Sequence, residues 1–434
     1  MTCFVWAGAF ALFASAPAAG AEIDGLSEDD RAALEFEGFE TTVHGEVLRA
    51  TPESASSVSF DADDLATASV RTAEDAIRLV PGFVLVQHGS EGKGYQFFVR
   101  GFDALHGADI ETRIAGVPFN EWSNVHATGY LDLSLVPPEI VSNVDVTKGP
   151  FSVGQGLFAV AGSLGYELGV SDRNRGARAW YTAGTTNRHR LLVSYSPENA
   201  QDGSFATAEV LSDAGFGEGR AARRAGVSGR TELMSGAAGT LELLAVAGVS
   251  RFDLPGIVRL DDVSSGRIEL RDSYGDDQWA GESRRGFATL IFRRRRDEVT
   301  SRAQLYAMGR FLSLTENFTG FLQDSARGDA FEQRHRSTLV GLELEQLRDF
   351  APAWTLVFNG SARGEWIDQS EDQIDANGAV FAQSRSVEGV QAAWHGGSAV
   401  RFSPNRMFRL DVGARVDGVT VTRAENTLTG AEGD

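Results

Sequence analysis

The chain has 434 residues and a formal net charge of −20, with 60 Asp and Glu against 40 Lys and Arg. A surface that grips a duplex must neutralise phosphates with Lys and Arg, so this balance excludes nucleic acid as a partner of the chain as a whole. Cys3 is the single cysteine, which excludes a disulfide framework, and 11 Pro against 49 Gly excludes a Pro-rich disordered chain.

Residues 1–21 (MTCFVWAGAFALFASAPAAGA) form an apolar run that ends in Ala19-Gly20-Ala21. This fits a secretory signal peptide, although the Lys or Arg that opens such segments is missing. An N-terminal anchor helix is the other reading, with the run at the short limit for a span. Residues 22–57 are acidic and rich in Ser, Thr and Ala, a composition expected of a mobile lead-in. Next, SVRTAEDAIRLVPGF predicts a helix: Thr72 can cap it, Asp75 has capping-box spacing, and Pro81-Gly82 stops it. From Val84 to Val170 short strands (VLVQ, QFFVRG, ETRIAGVP, IVSNVDVT, GSLGYELG) alternate with glycine-bearing turns. Residues 58–170 are therefore expected to form a compact α+β domain.

From residue 171 the pattern changes to period two. TLVFNGSARGEW puts Leu356, Phe358, Gly360, Ala362, Gly364 and Trp366 on one face, with Asn359, Arg363 and Glu365 on the other. FRLDVGARVDG and VGLELEQL alternate likewise. Short links (RRDEVT, RDFAPAW, SPNR) alternate with long polar ones near 253–282, 314–333 and 368–390. That sorting of loops by length is expected of a transmembrane antiparallel β-barrel, with short turns at one rim and long loops at the other. About eleven strands are countable by this pattern. No stretch after residue 21 is apolar enough for a helical span, which says nothing against a barrel.

Motifs for covalent or metal chemistry are thin. VDVTKGPFSVGQG, residues 144–156, has a lysine and glycines, but the lysine precedes them and no G-K-[ST] opens a helix, so a phosphate loop is disfavoured. His88, His106 and His126 lack the spacing that sets two ligands on one helix face. Arg293–Arg296 reads as a solvated rim, and DQIDANG lacks the closing glutamate of a calcium loop. Neither an enzyme activity nor a cofactor is expected.

Taken in order, AEDAIRLVPGF, FFVRGFD, TRIAGVPFNEW and LVPPEIVSNVDVTKGPFSVGQGLFAVAGSLGYELG resemble the plug domain of TonB-dependent outer-membrane receptors. The resemblance implies a plug over 58–170 followed by barrel strands over 171–434. It implies ligand contacts from the outward plug turns: His88, Glu91, Lys93 and Tyr95; His106 and Asp109; Asn120, Trp122, Asn124, His126 and Tyr130. It implies that Arg100 and Lys148 latch the plug to barrel carboxylates. Within the lead-in, now periplasmic, Glu40, Thr41, Thr42, Val43 and His44 occupy the place of the TonB box. The implied partners are TonB with its inner-membrane motor, outer-membrane lipid, and a small or medium polar ligand such as an iron–siderophore complex.

The resemblance is partial. Such receptors close about 22 strands, and residues 171–434 supply about half of them, so the barrel is expected to be truncated. The function expected is energy-coupled uptake of a scarce ligand at the outer membrane. The alternative is a secreted soluble β-rich binding or adhesin protein.

Overall fold

The structure, a computed structural model, describes residues 3–5, 56–198, 203–274, 279–324, 326–405 and 408–427. A three-residue strand, β1 (Cys3–Val5), stands apart from the rest of the first part of the chain. The first described strand of the N-terminal domain is β2 (Ser56–Asp61). Asp61 ends the strand and caps α1 (Ala62–Thr67), its Oδ1 accepting from the N–H groups of Asp63 and Asp64 at 2.8 and 2.9 Å. The helix expected after Thr72 is present as a 3-10 helix, Ala73–Leu79. Asp75 reaches back to accept from the N–H groups of Arg71 and Thr72 at 3.1 and 3.3 Å, the reciprocal contact of a capping box.

Strands β3 (Phe83–Val86), β4 (Gln96–Val99) and β5 (Phe102–Asp103) form a small antiparallel sheet. Then β6 (Ile110–Ile114), β7 (Val117–Pro118), β8 (Val141–Lys148) and β9 (Gly162–Leu168) join β2 in a sheet of order β2-β8-β9-β6-β7. Only the β6–β9 pair in it is parallel. Ile77, Ile110, Ile114, Val144 and Leu164 are wholly buried between these layers. The same apolar cluster runs on into Leu244, Val246, Phe287, Tyr306 and Leu339 of the second domain, so the two domains share one core.

The second domain is a meander: β10 (Gly176–Gly184), β11 (Arg188–Ser196), β12 (Phe205–Asp213), β13 (Ala222–Gly236), β14 (Gly239–Asp253), β15 (Ala280–Arg296), β16 (Val299–Asn317), β17 (Ala330–Ala351), β18 (Trp354–Ile374), β19 (Val380–Asn405) and β20 (Phe408–Thr427). Each pairs antiparallel with the next, and β10 and β20 are not paired, so the sheet is an open, curved wall of eleven strands. Strand β1 lies along β20, with Cys3 opposite Val419, in the manner of an apolar segment meeting an unpaired strand edge.

Alternation sorts the side chains of the wall. Inward positions carry the buried Arg224, Arg285, Arg310, His335 and Glu365. Outward positions carry the exposed Val210, Val249, Leu305, Leu342 and Leu344, and on β18 Trp354 and Trp366 bracket the outward stripe. Aromatics at the two ends of an apolar band are the pattern of a barrel that meets lipid. Turns at 237–238, 297–298 and 352–353 lie at one rim, and loops 254–279 and 318–329 at the other. The expected long loop at 368–390 is a correction: β18 and β19 continue through it to a hairpin at 375–379. Both faces are polar there because inward residues bond to neighbours, as Glu371 does to Gln333 at 2.6 Å. A strand polar on both faces has the composition of a loop. The segment resembling a calcium loop is this hairpin, with Asp375 accepting from the N–H groups of Asn377 and Ala379.

Candidate functional site

The N-terminal domain sits against the inward face of the wall, and charges cross the boundary in both senses. Lys93 meets Glu316 of β16 at 2.6 Å, and Arg113 meets Glu343 of β17 at 3.0 Å. In the opposite sense, Glu91 accepts from Arg188 and Arg224 at 2.5 and 3.0 Å. Arg190 grips Glu139 with both terminal nitrogens, at 2.6 and 2.8 Å. Deepest of all, Glu121 takes Arg285 at 2.7 Å and His335 at 3.0 Å, while Asp132 takes Arg285 at 3.2 Å and Ser283 at 2.7 Å. Burial alone would raise Glu121, but Arg285 and His335 override it and hold its carboxyl well below the usual range. Glu91 is likewise lowered, burial being outweighed by Arg188 and Arg224. Removing one member of such a pair strands a buried charge, at a cost of about 3–5 kcal/mol.

The expected latch residues are placed differently. Arg100 is exposed, adopts φ +51°, and makes no ion pair among the described residues. Lys148 is buried at the end of β8 with no carboxylate within 4 Å among the described residues. The cations that reach wall carboxylates are Lys93 and Arg113, and Lys93 had been expected among the ligand contacts. The glycine-rich turn after Lys148 does touch the wall, through its backbone: Arg415 of β20 donates to the Val153 carbonyl at 3.0 Å. Gly413 lies beneath the same turn, where a Cβ would come within 2.6 Å of Val153 Cγ1.

Five of the expected contact residues, His88, Lys93, His106, His126 and Tyr130, gather at one end of the domain. The His88 and His106 rings lie 5.9 Å apart, His106 and His126 5.0 Å, and Tyr130 is 5.7 Å from both His106 and His126. Phe318, at the start of the 318–329 loop, lies 6.0 Å from His126, with the Lys93 ammonium 5.5 Å from its ring centre. Hydrogen-bond partners assign the tautomers. His106 Nδ1 donates to the Gly94 carbonyl at 3.1 Å. Gln333 spends its amide N–H on Glu371, so its oxygen accepts from His126 Nδ1 at 2.9 Å. Both rings therefore keep a lone pair on Nε2, and that of His126 is buried without a partner among the described residues. Burial, with Lys93 nearby, lowers His106 to about 4 and His126 to about 3, so both are neutral at pH 7.

The other expected contacts are engaged within the plug or against the wall. Asn120 is 1% exposed and staples its own domain, accepting from the Thr112 N–H at 2.7 Å and donating to the Gly107 and Ile110 carbonyls at 2.8 Å. Asn124 donates to Glu121 at 2.6 Å and accepts from the His126 N–H at 2.8 Å. Tyr95 is buried in the core, and Tyr130 accepts from the Gly94 N–H at 2.8 Å beneath Arg285. Asp109 is half-buried, and its carbonyl accepts from the Ala161 N–H. Trp122 is half-buried under the Arg363 guanidinium, 4.3 Å from the ring centre. Glu40, Thr41, Thr42, Val43 and His44 lie outside the described residues. Sequence reasoning passed over Arg188, Arg190, Arg224, Arg285 and His335. The available signal was a charged residue at some positions of the inward-facing register of these strands.

Among the described residues no group of three or more His, Cys, Asp or Glu is set to hold a metal ion. The arrangement offers polar and aromatic contacts at one end of a domain that is clamped to the wall by buried charges.

Comparison with known proteins bears on this arrangement. Residues 47–163 match the family model of the TonB-dependent receptor plug domain. The fold is similar to that of the ferric yersiniabactin uptake receptor FyuA from Yersinia pestis, at 15% identity and a TM-score of 0.66, over 88% of this chain and 59% of that one. It is also similar to the pyoverdine outer membrane receptor FpvA from Pseudomonas aeruginosa PAO1, at 13% identity and 0.67, over 86% and 58%. The ferric preacinetobactin receptor BauA from Acinetobacter baumannii matches at 12% and 0.65, over 86% and 60%. The chain thus spans less than two thirds of the length of these receptors. Residues 47–163 of its N-terminal domain thus match the TonB-dependent receptor plug domain, and its second domain is an open wall of antiparallel strands similar in fold to part of these receptors.

Proposed function

We propose that the protein works at the outer membrane as a receptor for energy-coupled uptake of a scarce ligand of the iron–siderophore class. The observation that carries this reading is the seam of buried ion pairs between plug and wall. A passage through the barrel requires that seam to loosen, and an energised partner pulling on the lead-in supplies the work. The lead-in joins β2, which pairs with β8 along its length, so tension there is transmitted into the plug sheet. The imidazole, Tyr130 and Phe318 cluster supports a polar ligand of medium size held by a few directed groups. Two of the solved receptors similar in fold are named for ferric yersiniabactin and ferric preacinetobactin, which supports the ligand class.

The outward band of Leu305, Leu342, Leu344, Trp354 and Trp366 weighs against the soluble reading, since it would expose a continuous apolar surface to water. The test is uptake of a radioactive ferric siderophore by cells stripped of their own receptors. Accumulation that needs the proton gradient and is lost on deleting residues 39–47 is the expected result. Recovery of the protein in the medium or periplasm without detergent would overturn the reading.

A further inference from the structure

The outward face of the wall carries a feature that uptake does not use. Near the rim of the long loops a concave patch of about 780 Å³ crosses β13 to β17. It is lined by Arg223, Arg251, Arg284, Arg334 and Arg336, with Phe311 at its centre. Three carboxylates share it: Glu282 pairs with Arg251 and Arg284, Glu332 pairs with Arg334, and Asp253 lies at the edge. Arg223 and Arg336, at its two ends, have no ion pair among the described residues. They are four strand steps apart, roughly 19 Å at ~4.8 Å per step. The Arg284 guanidinium lies 5.3 Å from the centre of the Phe311 ring.

This guanidinium surplus stands on a chain of net charge −20. An outward arginine is costly at the middle of a bilayer and tolerated at headgroup level, which fixes the height at which such a patch is stable. Directly below lies an apolar trough of about 730 Å³, floored by small side chains that include Ala247, Gly286, Ala288, Ala307 and Gly309. The two features share strands and face: Gly286 is two residues from Arg284 on β15, and Gly309 two from Phe311 on β16. The wall does not need glycine at 309 for its own packing, because a Cβ there would meet nothing within 4 Å.

We infer that this face binds a phosphorylated lipid of the outer leaflet, its headgroup phosphates on the guanidiniums and an acyl chain in the trough. Guanidinium forks suit phosphate oxygens, and Arg223 and Arg336 are the two free to take them. The trough admits a chain because its floor lacks side chains. The inference rests on the reading that the outward band meets a bilayer.

The test uses the full chain purified from outer membranes in mild detergent, with bound lipid counted by native mass spectrometry. The probes are a bisphosphorylated disaccharide glycolipid, the same lipid without its phosphates, and inorganic phosphate. The expected result is retention of the phosphorylated lipid alone, undisturbed by excess inorganic phosphate. Arg223→Gln with Arg336→Gln should lower retention by about a hundredfold, the loss expected on removing two charge-assisted hydrogen bonds. Gly309→Phe should lower it without touching a charge, and Arg295→Gln, at the opposite rim, should leave it unchanged. Equal retention of the two lipids by the wild-type protein would overturn the inference, as would displacement by inorganic phosphate. The wild-type arms need no variant to fold. Absence of the protein from the outer-membrane fraction would instead overturn the proposed function.

Discussion

Lys93 of the plug and Glu316 of strand β16 meet at 2.6 Å, with both side chains less than a tenth exposed. A pair so placed is held by geometry, because either charge alone would be stranded out of water. Lys93→Met should therefore destabilise the seated plug by about 3–5 kcal/mol, and Lys93→Met with Glu316→Met should recover most of the loss. Chemical denaturation followed by the fluorescence of Trp279, buried near the same loops, checks both values. A double variant as unstable as the single one would show that the pair is not the source of the cost.

The plug turn after β8 leads to opposite expectations for Arg100, read from sequence as a latch, and for Gly413 of the wall. Arg100→Ala at an exposed, unpaired site should change stability by no more than about 0.5 kcal/mol. Gly413→Val should do harm, since its side chain would enter the space of Val153. Sensitivity of cells to large antibiotics reports plug seating, and leakage should rise for Gly413→Val and stay unchanged for Arg100→Ala.

Glu74 gives the plug a pH signature on the alkaline side. Burial, with Asp132 nearby, raises it to about 7, while its Oε1 accepts from the Leu133 N–H at 2.9 Å. A raised carboxyl binds a proton in the folded state that the unfolded chain has lost. Its contribution is full below the ordinary value near 4.5 and is lost as pH rises through about 7. The stability of the wild type relative to Glu74→Gln should fall by about 3 kcal/mol between pH 4.5 and 8. Urea midpoints of the two proteins at both pH values measure the difference, and a constant difference would contradict the assignment.

His106 and His126 act on the acid side. Each is lowered by burial, to about 4 and about 3, so the unfolded chain takes up protons below pH 6.5 that the folded plug refuses. Stability is unaffected by them above that value and falls as pH drops toward their folded values. His126→Phe should remove on the order of 2 kcal/mol of the wild-type loss between pH 7.5 and 5. The same variant should weaken ligand binding at pH 7.5, where the lost group is a neutral acceptor and no charge changes.

Much of this fold was legible because alternation is a direct record of a two-faced wall. TLVFNGSARGEW separated the two faces of β18 before any coordinate, and Thr72 with Asp75 marked the start of the 3-10 helix. Legibility failed where one pattern has two causes. The stretch 368–390 is polar because β18 and β19 rise above the apolar band, and polarity of that kind is indistinguishable from a loop. β2 and α1 were missed because their acidic residues, Asp61 and Asp64, serve as caps and interrupt the apolar pattern that marks an element. Among the site residues, sequence could nominate polar turn positions but could not tell inward from outward. Asn120 and Lys93 illustrate the gap: both are polar residues in turns, and the fold uses one as a staple and the other as a clamp.

The central claim is that the plug must move against the wall for cargo to pass. Leu135 of the plug packs on Gly248 of β14, where a Cβ at 248 would lie 3.0 Å from Leu135 Cβ. That is close to the ~3.8 Å typical of a disulfide, so Leu135→Cys with Gly248→Cys should cross-link after a small adjustment. Energy-dependent uptake of a ferric siderophore is then measured with the bond oxidised and again after reduction. The account expects uptake to stop on oxidation and return on reduction; full uptake through a completely cross-linked receptor would contradict it.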